Sequence, residues 1–363
     1  MSKDFYSIAV VGFGGMGSFH LHLAEGIDEV KITGSFDIKE DRQELARQKG
    51  LKVYDSFEDL LADELVDIVL VATPNDSHKE IAIRAMEAGK HVVCEKPVTL
   101  SSADLQKMID VSEKTGKLLV VHQNRRWDED FLTMKKIYDE NMLGEVYAIE
   151  SRVHGSRGIP GDWRQEKEYG GGMVLDWGVH ILDQALLMVD EKVKKVYAKL
   201  THVTNQIVDD GFWVDLTFES GKRFFLEVGT SNFIKLPRWY MLGTNGTAVI
   251  EDWGKDAKVV VAKGKSEEDV VPVRTAAGLT KTMAPRRDDT IHEYTVPLVE
   301  GNIRVLQKCS CTSVRQGRHN RYTAPGYAGY EVNGSDFRIC REGAGCGFRI
   351  MTRSQTNVRV LNG

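Results

Sequence analysis

Residues 7–20, "SIAVVGFGGMGSFH", restrict the fold more than any other stretch of this chain. A short apolar run ends in Gly12, Gly14 and Gly17, spaced G-x-G-x-x-G, and gives way to residues at helical spacing. A chain with 34 glycines produces such spacings by chance, so the context carries the weight. Here the glycines join a strand to a helix, and Asp37 closes the second apolar run 20 residues after Gly17. Small residues let the backbone approach a pyrophosphate, a helix start offers unpaired N–H groups and positive dipole, and a carboxylate at 37 accepts from ribose hydroxyls. Dinucleotide binding follows, with a purely structural turn as the alternative. Gly12, Phe13, Gly14, Gly15, Met16, Gly17 and Asp37 are the expected contacts. The Asp37 carboxylate repels a 2′-phosphate, so NAD is preferred over NADP, although Lys39 and Arg42 offer partial compensation.

The alternation continues. "VKITGSFDIK", "VDIVLVATP", "HVVCEKP" and "LLVVHQN" read as strands, with helical patterns in "EDRQELARQKG", "HKEIAIRAMEAGK" and from about Ser101 to Thr115. Strands alternating with helices make a parallel sheet covered on both faces. Residues 1–124 therefore read as an α/β Rossmann domain, a doubly wound parallel sheet. Beyond Trp127 the texture changes. Helical stretches "FLTMKKIYDENML" and "MVLDWGVHILDQALLMV" accompany long alternating runs, among them "VKKVYAKLTHVT", "GFWVDLTFES" and "RFFLEVGTSN", several separated by turn signals such as Asn245-Gly246. Residues 125–300 read as an α+β domain with a mostly antiparallel open sheet.

Length and charge exclude other classes. A chain of 363 residues with 42% apolar side chains supplies two cores. No apolar run approaches the ~20 residues that span a bilayer, and "MSKDFYSIAV" lacks the basic flank and long apolar region of a signal peptide. A cytoplasmic protein without membrane partners is expected. Net charge is −5 with no concentrated basic run in the first 300 residues, which argues against nucleic acid. Five cysteines are too few and too uneven for a disulfide framework.

Strand ends in an open parallel sheet point into the ligand crevice. "ATPNDSH", residues 72–78, lies at one such end, so backbone contact of Thr73, Pro74 and Asn75 with the cofactor is expected. Asp76, Ser77 and His78 are assigned to capping or the surface. At the next strand end, "CEKP" aims Lys96 at the cofactor's reactive end, where a partly desolvated lysine is suited to move protons. Pro97 fixes the turn, with a cis peptide as an option, and Glu95, placed to hold the lysine, joins Lys96 as an expected cofactor contact. "GGGMVLDWGVHILDQ" sets Asp176, His180 and Asp183 at spacings of four and three, one face of a helix. A carboxylate and an imidazole there can bracket a hydroxyl-bearing carbon. Metal ligation or helix capping is the alternative, but hydride transfer needs no metal and no further ligand set is evident, so no metal site is assigned.

With "VVGFGGMG", "ATPNDSH", "CEKP" and "GGGMVLDWGVHILDQ" in this order, residues 6 to about 300 resemble the Gfo/Idh/MocA oxidoreductase family, named for glucose-fructose oxidoreductase and inositol dehydrogenase. "NRRWDEDFLT" is similar to the subgroup with scyllo-inositol dehydrogenases. The resemblance implies a catalytic lysine at Lys96 and a catalytic pair at Asp176 and His180. It implies a secondary alcohol of a sugar or cyclic polyol as substrate, and homo-oligomers formed through the open sheet. Hydride passes between substrate carbon and nicotinamide, His180 leads as base, Lys96 polarises the oxygen or relays its proton, and Asp176 orients the substrate. Asn124, Arg125, Trp127, Trp163 and Arg164 join Asp176 and His180 as candidate substrate contacts, since planar donors and rings suit a polyhydroxylated ligand. An NAD-dependent glycosidase working by transient oxidation, or a non-catalytic dinucleotide sensor, would carry much of the same pattern.

From about Gly301 the pattern is lost. Residues 301–363 hold nine arginines and one lysine against three acids, and four of the five cysteines. A basic arm or a metal-binding tail would explain this, but a reading frame shifted near codons 301–303 explains it better. Synonymous codons for residues 326–348, read one base later, admit the helix and strand with which family members end. The tail is expected to be poorly ordered and to destabilise the protein.

Overall fold

A computed structural model describes residues 5–264, 272–280 and 286–301, together with the backbone of 338–341 and 348–351. Six strands form the first sheet: β1 (Tyr6–Val11), β2 (Val30–Phe36), β3 (Lys52–Val53), β4 (Ile68–Val71), β5 (His91–Cys94) and β6 (Leu119–Val121). All pair in parallel, in the order β3-β2-β1-β4-β5-β6. Successive side chains of a strand face opposite ways. In β1 this sends Ile8 and Val10 into one apolar cluster, and Ala9 and Val11 into another. Both faces are thus covered by α1 (Gly15–Ala24), α2 (Glu40–Gln48), α3 (Phe57–Ala62), α4 (His78–Glu87) and α5 (Ser102–Thr115). The order reverses between β1 and β4, which opens a crevice at their C-terminal ends.

Helix limits follow local chemistry. The Ser101 hydroxyl accepts the Asp104 N–H at 3.1 Å, and Gly116 ends α5 in the left-handed region at φ 65°. The expected span, Ser101 to Thr115, matches within a residue. β3 and α3 were not anticipated, being too short to show a period.

The second sheet has eight strands: β7 (Val146–His154), β8 (Val193–Thr201), β9 (Gly211–Phe218), β10 (Arg223–Gly229), β11 (Trp239–Gly243), β12 (Gly246–Ile250), β13 (Ala257–Ala262) and, after a small hairpin of β14 (Val273–Thr275) and β15 (Gly278–Thr280), β16 (Ile291–Val296). Their order is β16-β13-β12-β11-β7-β10-β9-β8. β7 and β10 pair in parallel at the centre, and every other ladder is antiparallel. One face packs on α6 (Glu129–Asp139) and α7 (Val179–Met188), where Phe131, Met134, Ile181 and Ala185 meet Phe212, Leu226 and Trp239. Tyr147 and Tyr197 are exposed on strands β7 and β8. Among the described residues, no helix is long and apolar enough to cross a membrane.

The expectations for the tail, the shifted frame and the loss of order, fall on residues that lie largely outside those described. Within it, β17 (Arg338–Arg341) and β18 (Phe348–Met351) pair antiparallel.

Candidate active site

The glycine loop divides into two kinds of position. Gly12 sits at φ +90°, and a Cβ there would stand 2.7 Å from the Ala72 carbonyl oxygen. A Cβ on Gly17 would stand 1.9 Å from the Gly12 oxygen. These two glycines are required by the protein's own packing. Gly14 and Gly15 meet nothing within 4 Å, so bare backbone faces open space at the start of α1. That cradle fits a pyrophosphate. The Phe13 ring is buried and only its backbone faces the loop; its N–H donates to Asp37 Oδ2 at 2.7 Å, and Lys39 N–H donates to Oδ1 at 2.9 Å. The carboxylate expected to meet ribose is therefore held by the glycine loop's own backbone, and Met16, in the first turn of α1, is exposed.

Beyond β4, Thr73, Pro74 and Asn75 line the next loop. Asn75 is buried and donates from Nδ2 to the Tyr169 carbonyl at 2.9 Å, tying this loop to the segment between β7 and α7. His78 corrects its expectation. It does not lie on the surface: it is fully buried at the start of α4, with Nδ1 3.0 Å from the Pro97 oxygen and Nε2 2.9 Å from the Thr73 oxygen. One imidazole thus touches two crevice loops; burial lowers its pKa, and the neutral ring donates its single N–H to one of the two carbonyls. Ser77 does serve the turn, donating to the Pro74 oxygen at 2.8 Å.

Lys96 follows β5, and the Lys96–Pro97 bond is cis. Its ammonium donates to Asp176 Oδ1 at 3.0 Å and to the Asp176 carbonyl at 3.1 Å. Arg164 takes the other carboxylate oxygen, Nε to Oδ2 at 2.8 Å, and is itself held by Asp162 at 2.8 Å. Burial pushes the Asp176 carboxyl up, but the two cations outweigh it and hold the group below its ordinary range. His180 is buried one turn on. Gln123 donates from Nε2 to the Val179 carbonyl at 3.3 Å, which turns its Oε1 toward His180 Nδ1, 3.2 Å away. Nδ1–H is therefore the donor and Nε2 keeps a lone pair. Burial first, then the charges of Lys96 and Arg125, lower the His180 pKa well below its usual value, so the ring is neutral at pH 7.

The helical face expected for Asp176, His180 and Asp183 is only partly realised. Residues Val174–Gly178 form a π-turn before α7, which widens the spacing. Asp183 turns instead to Arg126, Nε to Oδ2 at 2.7 Å. Asp176 and His180 stay with Lys96. Glu95, expected near the cofactor, is 7% exposed, with one carboxylate oxygen 2.7 Å from His20 Nε2 and 2.9 Å from His122 Nδ1. Its other oxygen accepts the Lys96 N–H at 3.2 Å, a contact to the lysine's backbone.

Beside Asp176 lies a cavity of about 450 Å³ lined by Arg125, His154, Met173, Trp177 and Trp253 among others. The Arg125 guanidinium stacks 4.0 Å above the Trp177 ring and 5.7 Å from Trp253, and donates to Asp128 at 3.1 Å. Of the expected substrate contacts, Arg125 and Asp176 line this cavity, and Arg164 reaches it through Asp176. Asn124, Trp127, Trp163 and His180 do not line it; Trp163 lies under the Arg164 guanidinium at 4.6 Å, and His180 is buried behind. His154, Trp177, Trp253 and Gln123 were missed. Tryptophans scattered over a sheet domain give no signal of which will converge, whereas Gln123 stood within "HQNRR", next to residues that were read.

Two family descriptions match the chain: an oxidoreductase family with an NAD-binding Rossmann fold over residues 6–123, and the GFO/IDH/MocA C-terminal domain over 131–249. Among solved structures, an NAD-binding protein from Listeria innocua superposes with TM-score 0.80 at 50% identity, covering 85% of this chain and 91% of that one. Among curated relatives, an uncharacterised oxidoreductase of Schizosaccharomyces pombe is 43% identical over 139 residues, only 38% of each chain. A scyllo-inositol 2-dehydrogenase (NADP+) of Bacillus subtilis is 28% identical over 86% of this chain and 87% of its own. Glycine cradle, crevice lysine and the two sheets agree with those matches, and the chain belongs to the Gfo/Idh/MocA oxidoreductase family.

Proposed function

We propose that this protein is a dehydrogenase that moves a hydride between a nicotinamide dinucleotide and a secondary alcohol or carbonyl of a sugar or cyclic polyol. The Lys96 ammonium on the Asp176 carboxylate, with the neutral His180 ring buried one turn further on and near enough to feel the Lys96 charge, carries this reading. Residues 1–124 hold the dinucleotide: Gly14 and Gly15 take the pyrophosphate, Asp37 the ribose, and the Thr73–Asn75 loop the far wall. The bound nicotinamide supplies the hydride acceptor or donor. Residues 125–300 hold the substrate, and copies pair through the open sheet face.

In the oxidising direction His180 Nε2 takes the hydroxyl proton, because that nitrogen alone offers a lone pair while Nδ1–H is committed to Gln123. Lys96 donates to the same oxygen and stabilises the charge that develops on it. Asp176, clamped by Lys96 and Arg164, accepts a hydrogen bond from a neighbouring hydroxyl. Arg125, stacked on Trp177, presents a planar donor and an aromatic floor, a combination suited to a ring that carries adjacent hydroxyls. NAD is the preferred dinucleotide, because Asp37 is already ordered by two backbone N–H groups where a 2′-phosphate would stand. The Bacillus relative's name specifies NADP+, so both are to be tested.

The test is to follow absorbance of NADH and NADPH over a panel of sugars, inositols and other cyclic polyols. Turnover with at least one of them, lost in Lys96→Ala and His180→Ala, is expected. Unchanged turnover in both variants would overturn the assignment.

A further inference from the structure

We infer that His20, Glu95 and His122 form a buried positioning triad that fixes the Lys96 peptide and so aims the Lys96 ammonium into the crevice. The inference rests on the catalytic reading of Lys96. His20 is on α1, the helix that opens at the glycine loop; Glu95 follows β5, and His122 follows β6. Both imidazoles are fully buried. Both present a nitrogen to one oxygen, Glu95 Oε1, at 2.7 and 2.9 Å, and their rings lie 4.6 Å apart.

The remaining nitrogens determine the protonation. His20 Nδ1 is buried with no hydrogen-bond partner, and so are both nitrogens of His122, whose Nδ1 stands 2.9 Å from Glu95 Oε1 without the direction of a hydrogen bond. A buried N–H left unpaired is costly, whereas a bare lone pair is less so, so the His20 proton sits on Nε2, facing Glu95, and the His122 proton belongs on Nδ1, the nitrogen nearest the carboxylate. His20 is then a neutral donor, His122 a neutral ring in close contact with the same oxygen, and Glu95 is the anion. Burial lowers the His20 pKa, as this requires. Burial alone would push Glu95 up, but the two imidazoles outweigh it and hold the carboxyl low. The second oxygen, Oε2, accepts the Lys96 N–H, and the Lys96 side chain ends on Asp176. A continuous line of contacts therefore runs from the dinucleotide helix to the candidate catalytic amine.

The same three side chains are the kind that ligate metals, and their ligand atoms lie within 4.8 Å of one another. Two observations favour hydrogen bonding. A tetrahedral zinc about 2.0–2.1 Å from each donor would hold the donors about 3.3 Å apart, whereas both nitrogens stand closer than that to the carboxylate oxygen. A metal-bound imidazole also normally donates its other N–H to a partner, and here neither ring has one.

The experiment uses the full chain and reads the lysine directly, so it needs no substrate. Reductive methylation of Lys96 is followed by mass spectrometry, with Lys79, paired with Asp104 on the outside of the sheet, as internal control. His20→Leu fills the site but donates nothing, His20→Gln keeps an N–H, and Glu95→Gln keeps the shape but removes the charge. Lys96 labelling is expected to rise about fivefold in His20→Leu and Glu95→Gln, the factor an ordinary hydrogen bond is worth. In His20→Gln it returns to the wild-type rate, and Lys79 is unchanged throughout. Wild-type labelling of Lys96 in both His20→Leu and Glu95→Gln would overturn the inference, as would one equivalent of metal in the purified protein. Once a substrate is known, the positioning role lowers kcat with little change in KM. Absence of turnover on every polyol would overturn the dehydrogenase reading alone, because the labelling ratio is decided without it.

Discussion

The lone pair on His180 Nε2 is set by a neighbour, not by the histidine. Gln123 can orient its amide in only one way while it donates to the Val179 carbonyl, and that orientation assigns the imidazole proton to Nδ1. Replacing His180 with Asn preserves polarity and approximate volume but offers no basic nitrogen. The loss in kcat is expected to be about 10²–10⁴-fold, the usual contribution of a general base, with NADH affinity by fluorescence unchanged. The pH profile provides a sharper check. His180 is depressed from 6.5 by burial and by Lys96 and Arg125, so it stays neutral and competent as the pH falls through the ordinary histidine range. The acid limb of kcat/KM for alcohol oxidation should therefore lie below 6.5. Gln123→Leu removes the orienting acceptor, and a fall in kcat at constant dinucleotide affinity is expected. An acid limb at or above the ordinary value would mean that another group is the base.

At the scale of elements, the glycine loop separates packing from binding in a way that two substitutions can test. Gly17→Ala drives a Cβ into the Gly12 carbonyl, so α1 must move away from the sheet, and a clear fall in melting temperature is expected. Gly14→Ala meets no protein atom within 4 Å, so its melting temperature should match the wild type while NADH binding weakens about tenfold or more, the methyl standing in the phosphate cradle. Equal dinucleotide affinity in Gly14→Ala would place the pyrophosphate elsewhere. These positions were legible in sequence because their constraints are local: strand, turn and helix follow each other within a dozen residues. Legibility ended where partners are distant or the period changes. Alternation marked β10 as a strand but not that it pairs in parallel with β7, and the π-turn at Val174–Gly178 changed where Asp176 stands relative to α7, while Asp183, three residues after His180 in that regular helix, went to Arg126. Glu95 and His20 stand 75 residues apart, and nothing in either local pattern announces the other.

For the whole molecule, the buried imidazoles set a limit on stability. His20, His78 and His180 are each buried, and for each burial is the largest influence and lowers the pKa. Below 6.5 the unfolded chain binds protons at these positions while the folded chain does not, so unfolding takes up protons and stability rises with pH. The sign follows: their contribution is fully present above 6.5 and is lost as the pH falls from there toward the depressed folded values. Each such group contributes a slope of up to about 1.4 kcal/mol per pH unit within that window. Asp176 and Glu95, both held low by cations or imidazoles, act further down, losing their contribution only as the pH drops beneath the ordinary carboxylate range. Melting temperature should therefore be flat from pH 8 to about 7 and fall steadily from about 6.5 to 5, before carboxylates titrate. The variant His78→Gln keeps an N–H for the Thr73 or Pro97 carbonyl but cannot titrate, so its melting temperature should fall less steeply over that window, whatever its value at neutral pH. A wild-type melting temperature that holds constant down to pH 5 would show that these rings are not buried as neutral bases, and with them would go the proton assignment on which both His180 and the Glu95 cluster depend.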